Sequence, residues 1–263
     1  MELNFTKMEG IGNNFVLVDS RTEKLDGINL IELSKRICDR NFGVGADGLI
    51  IVWPSTKANY RMQIFNPDGS EPEMCGNGIR CFAKYVFEKD QLKTDVISVE
   101  TKAGIMVPAM VEENGVVSAV EVDMGIPKDE GKVSLMGFDF RKISIGNPHA
   151  VSFSDDLSNL DLAEIGPMIE LDSHFPNRTN VEFVDIINDH EIRVMVWERG
   201  AGATLACGTG ACASVAAAVL GGKTGKKVLV HLPGGELEIE WQDDGHILMR
   251  GPAENVFKGA ISI

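Results

Sequence analysis

Apolar residues along this chain fall into two rhythms. Most lie in short runs rich in Val and Ile, such as Phe15-Val-Leu-Val18, Leu49-Ile-Ile-Val52, Val181-Glu-Phe-Val184 and Val228-Leu-Val230. These runs are bounded by Gly, Pro, Asn or Asp, the punctuation of β-strands. The other rhythm is helical. Leu30, Leu33 and Ile37 recur at helical spacing over Asn29 to about Arg40, where Asn29 with Glu32 resembles a capping box. A second helix is predicted after Cys75, with Ile79, Phe82, Ala83 and Val86 on one face. A third runs from Ala211 to Leu220 and is apolar nearly all round, the mark of a buried helix, with Gly221-Gly222 as its stop.

The pattern is duplicated. Cys75 and Cys207 both open the phrase Cys-Gly-Xaa-Gly ahead of a helical run. Asn66 and Glu198 each lie 9 positions earlier (75−66 = 207−198), and Arg61 and Arg193 each lie 14 earlier (75−61 = 207−193). Gly12-Asn13 recurs as Gly146-Asn147 at an offset of 134 (146−12), close to the cysteine offset of 132 (207−75). Asp47 to Val52 falls opposite Thr179 to Val184, and Ile97 to Gly104 resembles Val228 to Gly235. The expected fold is α/β, of α+β type, in two pseudo-symmetric halves. Each half is a mostly antiparallel sheet or barrel wrapped around a central helix, with the active site in the cleft between them. Residues 1–123 with 251–263 make the half carrying Cys75, the last strand crossing back, and residues 124–250 make the half carrying Cys207.

Composition narrows the function. The 263 residues carry a formal charge of −14, which argues against a nucleic-acid partner because phosphate binding needs concentrated Lys and Arg. No window approaches the roughly 20 apolar residues that cross a bilayer, so no membrane role is expected. The opening residues Met1-Glu-Leu-Asn-Phe-Thr-Lys7 have neither the charged nor the apolar segment of a secretory leader, and a cytoplasmic enzyme is the expectation. Five cysteines, an odd number, do not make a disulfide framework, and their spacings fit neither a zinc site nor a redox dithiol. They read as free thiols, and no metal is expected.

Cysteines that start helices carry chemistry that buried ones do not. An ordinary thiol has a pKa of about 8.5. A helix N-terminus offers it a positive dipole end and unpaired amides, which favour thiolate. The same amides, from Gly76 and Asn77 and from Gly208 and Thr209, can cradle a carboxylate and stabilise the charge that develops on it as a neighbouring carbon loses its proton. Two such thiols acting on opposite faces of one carbon are the equipment of a racemase or epimerase, with no cofactor needed as an electron sink. Cys75 and Cys207 are therefore read as exposed helix starts, one thiol and one thiolate at rest. Cys38, Cys81 and Cys212 lie on or inside helices and read as inert. Glu198 and His149 are candidates for setting the proton balance.

Several phrases together resemble the diaminopimelate epimerase family over nearly the whole chain. They are Met8-Glu-Gly-Ile-Gly-Asn-Asn-Phe15, Gly43-Val-Gly-Ala-Asp-Gly48, Phe65-Asn-Pro-Asp-Gly-Ser70, Glu73-Met-Cys-Gly-Asn-Gly-Ile-Arg-Cys81, Gly146-Asn-Pro-His149, Trp197-Glu-Arg-Gly-Ala-Gly202 and Ala206-Cys-Gly-Thr-Gly-Ala-Cys212. The resemblance implies conversion of LL- to meso-diaminopimelate for lysine and peptidoglycan synthesis, without pyridoxal phosphate or metal. It implies Cys75 and Cys207 as the acid/base pair. Asn13, Asn66, Asn147, Asn180 and Arg199 become substrate contacts, with Arg199 at the distal end. Glu198 becomes the partner of the reacting ammonium, and His149 with Glu198 tunes the thiols. Gly48 stands where some members have glutamine, and Asn14 replaces a common aspartate. Family members are commonly homodimers.

Two alternatives share parts of this equipment. A proline racemase-like enzyme has paired cysteines in a duplicated fold, but its substrate with one carboxylate does not call for the asparagine set and Arg199. Phenazine-pathway isomerases share the architecture without the paired cysteines. A thiol redox or metal-responsive binding protein, from a different class, calls for Cys-x-x-Cys spacing or His partners that this sequence lacks.

Overall fold

The computed structural model describes residues 2–263. In chain order the elements are β1 Glu2–Gly10, β2 Asn13–Asp19, α1 Leu30–Cys38, β3 Gly48–Trp53, β4 Tyr60–Phe65, α2 Gly76–Asp90, β5 Val99–Thr101, β6 Gly104–Met106, β7 Ala109–Glu113 and β8 Val116–Asp123. They continue as β9 Lys128–Leu135, β10 Phe138–Ser144, β11 Pro148–Phe153, α3 Leu162–Glu170, β12 Asn180–Asn188, β13 Glu191–Glu198, β14 Gly202–Ala203, α4 Gly208–Leu220, β15 Lys227–Leu232, β16 Gly235–Trp241, β17 Ile247–Gly251 and β18 Glu254–Ser262. The chain divides into two compact units, one running to Val122 and including Gly251–Ile263, the other Asp123–Arg250.

The first unit is built on a sheet in the order β18-β1-β2-β3-β4-β5-β6. Only β2 with β3 and β4 with β5 run parallel. The central strands β2 and β3 read as unbroken apolar runs because helices cover both faces. Val16, Val18, Leu49 and Ile51 point to one face and pack with Leu33 and Ile37 of α1. Ile50 and Ile64 point to the other, against the first turn of α2. Alternation along the strand is what separates the two sets.

The second unit repeats the plan, its strands following the order β17-β16-β15-β13-β12-β11-β10-β9 with β14 beside β13. Here β11 with β12 and β13 with β15 are the parallel pairs. Val181 and Phe183 of β12 pack with Leu162 and Ile169 of α3. Phe138, Phe140 and Phe183 form a cluster with centroids 5.0–6.1 Å apart, Phe183 meeting the other two edge-on. Burying a side chain such as Phe183 completely contributes about 1.5–3 kcal/mol. The opposite face of this sheet receives α4, ten of whose residues are buried.

Two details differ from the expected helices. The first is α1, which stops at Cys38, two residues short of the expected Arg40, with Asn29 as N-cap accepting from the amides of Ile31 and Glu32. Its Glu32 pairs with Lys35 rather than completing a capping box. As expected, α4 ends at Leu220 and stops at Gly221-Gly222, with Gly221 as its C-cap and Gly222 left-handed (φ 65°) after it. Finally, α3, the second half's counterpart of α1, had no segment assigned to it from sequence, although it begins 132 residues after α1 (162−30), the offset of the cysteines.

Candidate functional site

Each cysteine is the N-cap of the long helix in its unit. Cys75 (φ −136°, ψ 119°) and Cys207 (φ −128°, ψ 108°) share one backbone conformation. In each, the sulfur accepts from the amide three residues on: Gly78 N to Cys75 Sγ at 3.4 Å, and Gly210 N to Cys207 Sγ at 3.3 Å. The cysteine carbonyls take the first helical bonds, from Ile79 at 2.8 Å and Ala211 at 2.9 Å. The amides of Gly76, Asn77, Gly208 and Thr209 therefore lie ahead of the intrahelical ladder, as the first amides of any helix do.

In the first unit, Gly12 (φ 85°) turns the chain from β1 into β2 and sets Asn13 at the start of the strand. Asn13 Oδ1 accepts from Asn77 Nδ2 at 3.1 Å and lies 3.9 Å from Cys75 Sγ, while Asn13 Nδ2 donates to Asp47 at 3.2 Å. Asn66 follows β4 in a tight turn, its Nδ2 bound to Ser70 Oγ at 2.9 Å. Cys75 is partly exposed at the mouth of this group.

The second unit is more heavily wired. Gly146 (φ 81°) turns β10 into β11 as Gly12 does its counterpart. Asn147 Oδ1 lies 2.9 Å from His149 Nε2, and Asn147 Nδ2 donates to Thr209 Oγ1 at 3.2 Å. That hydroxyl lies 3.5 Å from Cys207 Sγ. His149 Nδ1 meets Glu182 Oε1 at 2.7 Å. Asn180 ties two loops together: Nδ2 donates to Pro148 O at 2.8 Å and Oδ1 accepts from Arg199 N at 2.9 Å. The turn carrying Glu198 and Arg199 is held by buried Glu170, which accepts from Trp197 Nε1 at 2.7 Å and Gly200 N at 3.0 Å. Glu198 Oε1 accepts from Thr204 at 2.6 Å, and Arg199 reaches the Asn177 carbonyl at 3.1 Å.

Two sequence expectations need correction. Cys207 is not an exposed helix start; it is 6 % exposed. Nor does its helix leave it acidic: burial first, then the Glu198 and Glu182 carboxylates, push this thiol well above its ordinary value, against the lowering bonds from Thr209 and Gly210. Desolvation and like charge outweigh the helix terminus. Burial likewise raises Glu198, with Glu182 opposing its ionisation and Thr204 favouring it, and burial raises Glu182 against the pull of His149. The sequence reading did not nominate Glu182, Glu170 or Thr204. Glu182 left one signal, a lone carboxylate on an inward strand position.

A cavity of about 690 Å³ opens beside this network, lined by Asn147, Arg199, Lys142, Arg178, His174 and Glu130 among others. It gives a strongly acidic chain one pocket rich in cationic side chains. Among the described residues no group of three His, Cys, Asp or Glu is placed to hold a metal ion.

Known proteins resemble this chain at two levels. Solved structures share the fold: a phenazine biosynthesis protein of the PhzF family from Bacillus anthracis superposes with a TM-score of 0.76 at 17% identity, covering 100% of both chains. A hydroxyproline epimerase from Agrobacterium vitis with bound trans-4-hydroxy-L-proline superposes at 0.73 and 15% identity, over 99% of this chain and 92% of that one. Sequence relatives are far nearer. Diaminopimelate epimerase from Moorella thermoacetica is 49% identical, covering 98% of each chain, and that from Methanococcus maripaludis strain C5 is 46% identical, over 99% of this chain and all of the other. The diaminopimelate epimerase family profile matches residues 5–129 and 141–256, a span that takes in both cysteine caps and the asparagine and glutamate loops beside them. On that match, and on relatives nearly half identical from end to end, the chain belongs to the diaminopimelate epimerase family.

Proposed function

We propose that the chain epimerises diaminopimelate, interconverting the LL and meso forms by a two-base mechanism with Cys75 and Cys207 as the acid/base residues. The observation that carries this reading is the matched pair of cysteine N-caps, each with its sulfur accepting from an amide in the first turn of its helix. For the isomer whose α-hydrogen faces Cys75, the Cys75 thiolate takes that proton. The electron pair left on carbon delocalises into the adjacent carboxylate, where helix-start amides meet the growing charge. Cys207, as thiol, delivers its proton to the opposite face. The reverse isomer exchanges the roles.

The high proton affinity of Cys207 suits it to be the loaded donor in the free enzyme. Gly76, Asn77, Gly208 and Thr209 supply the carboxylate cradle. Asn13, Asn66, Asn147, Asn180 and Arg199 hold the diamino-dicarboxylate, Arg199 at the distal carboxylate, and Glu198 faces the reacting ammonium. The mechanism calls for no cofactor. The enzyme belongs in the cytoplasm, where lysine and peptidoglycan precursors are made, and acts as a homodimer on a small molecule rather than on nucleic acid or membrane.

The test is α-deuterium uptake from heavy water into LL- and meso-diaminopimelate by the untreated protein, Cys75→Ala and Cys207→Ala. Inversion without added cofactor, abolished in either variant, is expected. Full inversion by either variant would remove the two-base mechanism.

A further inference from the structure

The two halves fill one position of the repeat in opposite ways. In the first, Ile50 of β3 faces the opening turn of α2: a Cβ placed on Gly78 would lie 3.3 Å from Ile50 Cδ1. In the second, Glu182 of β12 holds that place: a Cβ on Gly210 would lie 2.8 Å from Glu182 Oε1 and 3.2 Å from Cys207 Sγ. The neighbouring strands differ in step. Phe15 stands opposite Gly48 in β2 and β3, as His149 stands opposite Asn180 in β11 and β12. One site in the fold thus takes Ile and Phe in one copy, and Glu and His with both side chains at 0 % exposure in the other.

The fold does not require the polar pair, since its own duplicate manages with hydrocarbon. Burying a carboxyl and an imidazole costs desolvation that Ile and Phe avoid. Glu182 Oε2 has no hydrogen-bond partner among the described residues, so the carboxyl is incompletely satisfied as well. Such a pair persists where chemistry uses it. With the Asn147 oxygen facing His149 Nε2, that nitrogen carries a proton, and one further proton lies on the 2.7 Å line from Nδ1 to Glu182.

We infer that Glu182 is a positioning residue of the Cys207 half-site, acting through His149 to hold the Asn147 amide toward Thr209 and so the Thr209 hydroxyl against the Cys207 sulfur. Each link is within bonding reach: Glu182 to His149 at 2.7 Å, His149 to Asn147 at 2.9 Å, Asn147 to Thr209 at 3.2 Å and Thr209 to Cys207 at 3.5 Å. Glu182 touches no substrate; it fixes the ring that fixes the amide. The inference rests on the reading of Cys207 as an acid/base residue.

The test transplants the first half's solution into the second. Glu182→Ile combined with His149→Phe should keep the fold and a thermal midpoint at or above that of the parent. Its kcat for α-deuterium uptake should fall at least about tenfold while KM stays within about threefold, the split of a residue that orders the reacting groups rather than binds substrate. Glu182→Gln, which keeps volume and one bond to the ring, should show the same split and lose the strongly deshielded Nδ1 proton in the imidazole NMR spectrum; it decides the matter should the double variant not fold. A folded double variant, or Glu182→Gln, with kcat within about twofold of the parent overturns the inference. Cys207→Ser separates the two claims. If it inverts substrate fully, the acid/base reading itself fails; if it is inactive while the Glu182 variants turn over normally, only the role of Glu182 fails.

Discussion

At the residue scale, a sulfur's chemistry here follows from its place on a helix. Cys81 and Cys212 lie inside α2 and α4 at zero exposure, while Cys75 and Cys207 cap those helices. Burial pushes the Cys81 thiol up to about 12, chiefly by desolvating the thiolate. A group whose folded pKa is raised contributes stability that is complete below its unfolded value and is lost as pH climbs through its folded value. The urea midpoint of the protein should therefore fall as pH rises from the ordinary thiol range toward about 12. Cys81→Ala should flatten that slope, and a slope equally steep in the variant would show that other groups set it. The same physics explains a misreading of Cys207. A helix start was expected to expose and acidify it, but the fold buries it and brings the carboxylates of Glu198 and Glu182 beside it from two strands.

At the element scale, the short helices rest on polar caps and the long ones on packing. Asn29 accepts from two amides at the start of α1, and Asp161 does the same for α3. Asn29→Ala should lower stability by about 1 kcal/mol, measured by chemical denaturation, without changing turnover. No loss would mean that tertiary contacts from Leu33 and Ile37 alone hold α1. The second helix of each unit was legible in sequence because its apolar periodicity is strong and its glycine phrase is repeated. By contrast α3 was not, since Pro167 inside it speaks against a helix and its Asp161 cap resembles any turn residue. Strands β3 and β12 were visible as matching runs, yet the inward position of Ile50 and Glu182 emerged only when the sheet fixed which alternate residues face α2 and α4.

At the scale of the whole molecule, the last strand closes the first unit. Through eight register pairs β18 lies antiparallel to β1, and Phe257 stacks edge-on against Phe5 at 5.9 Å. Ile261 and Ile263 cover the core that contains Leu3 and Phe5. A chain ending at Gly251 should leave β1 an unpaired, apolar edge, so amide exchange in β1 should become fast while strands β11 to β13 of the second unit stay protected. Protection of β1 in the truncated chain would show that its pairing with β2 suffices.

The sequence by itself determined the duplication, the two helix-capping cysteines and the family, because these are written in local phrases and constant offsets. Periodicity and glycine placement also fixed which segments become strands and which become central helices. Only the tertiary structure decided how the two cysteines differ. The proton affinity of Cys207 is raised by its burial and by Glu198 and Glu182, which the fold brings beside its helix start. Burial and through-space charge are properties of neighbours in space that no spacing along the chain records.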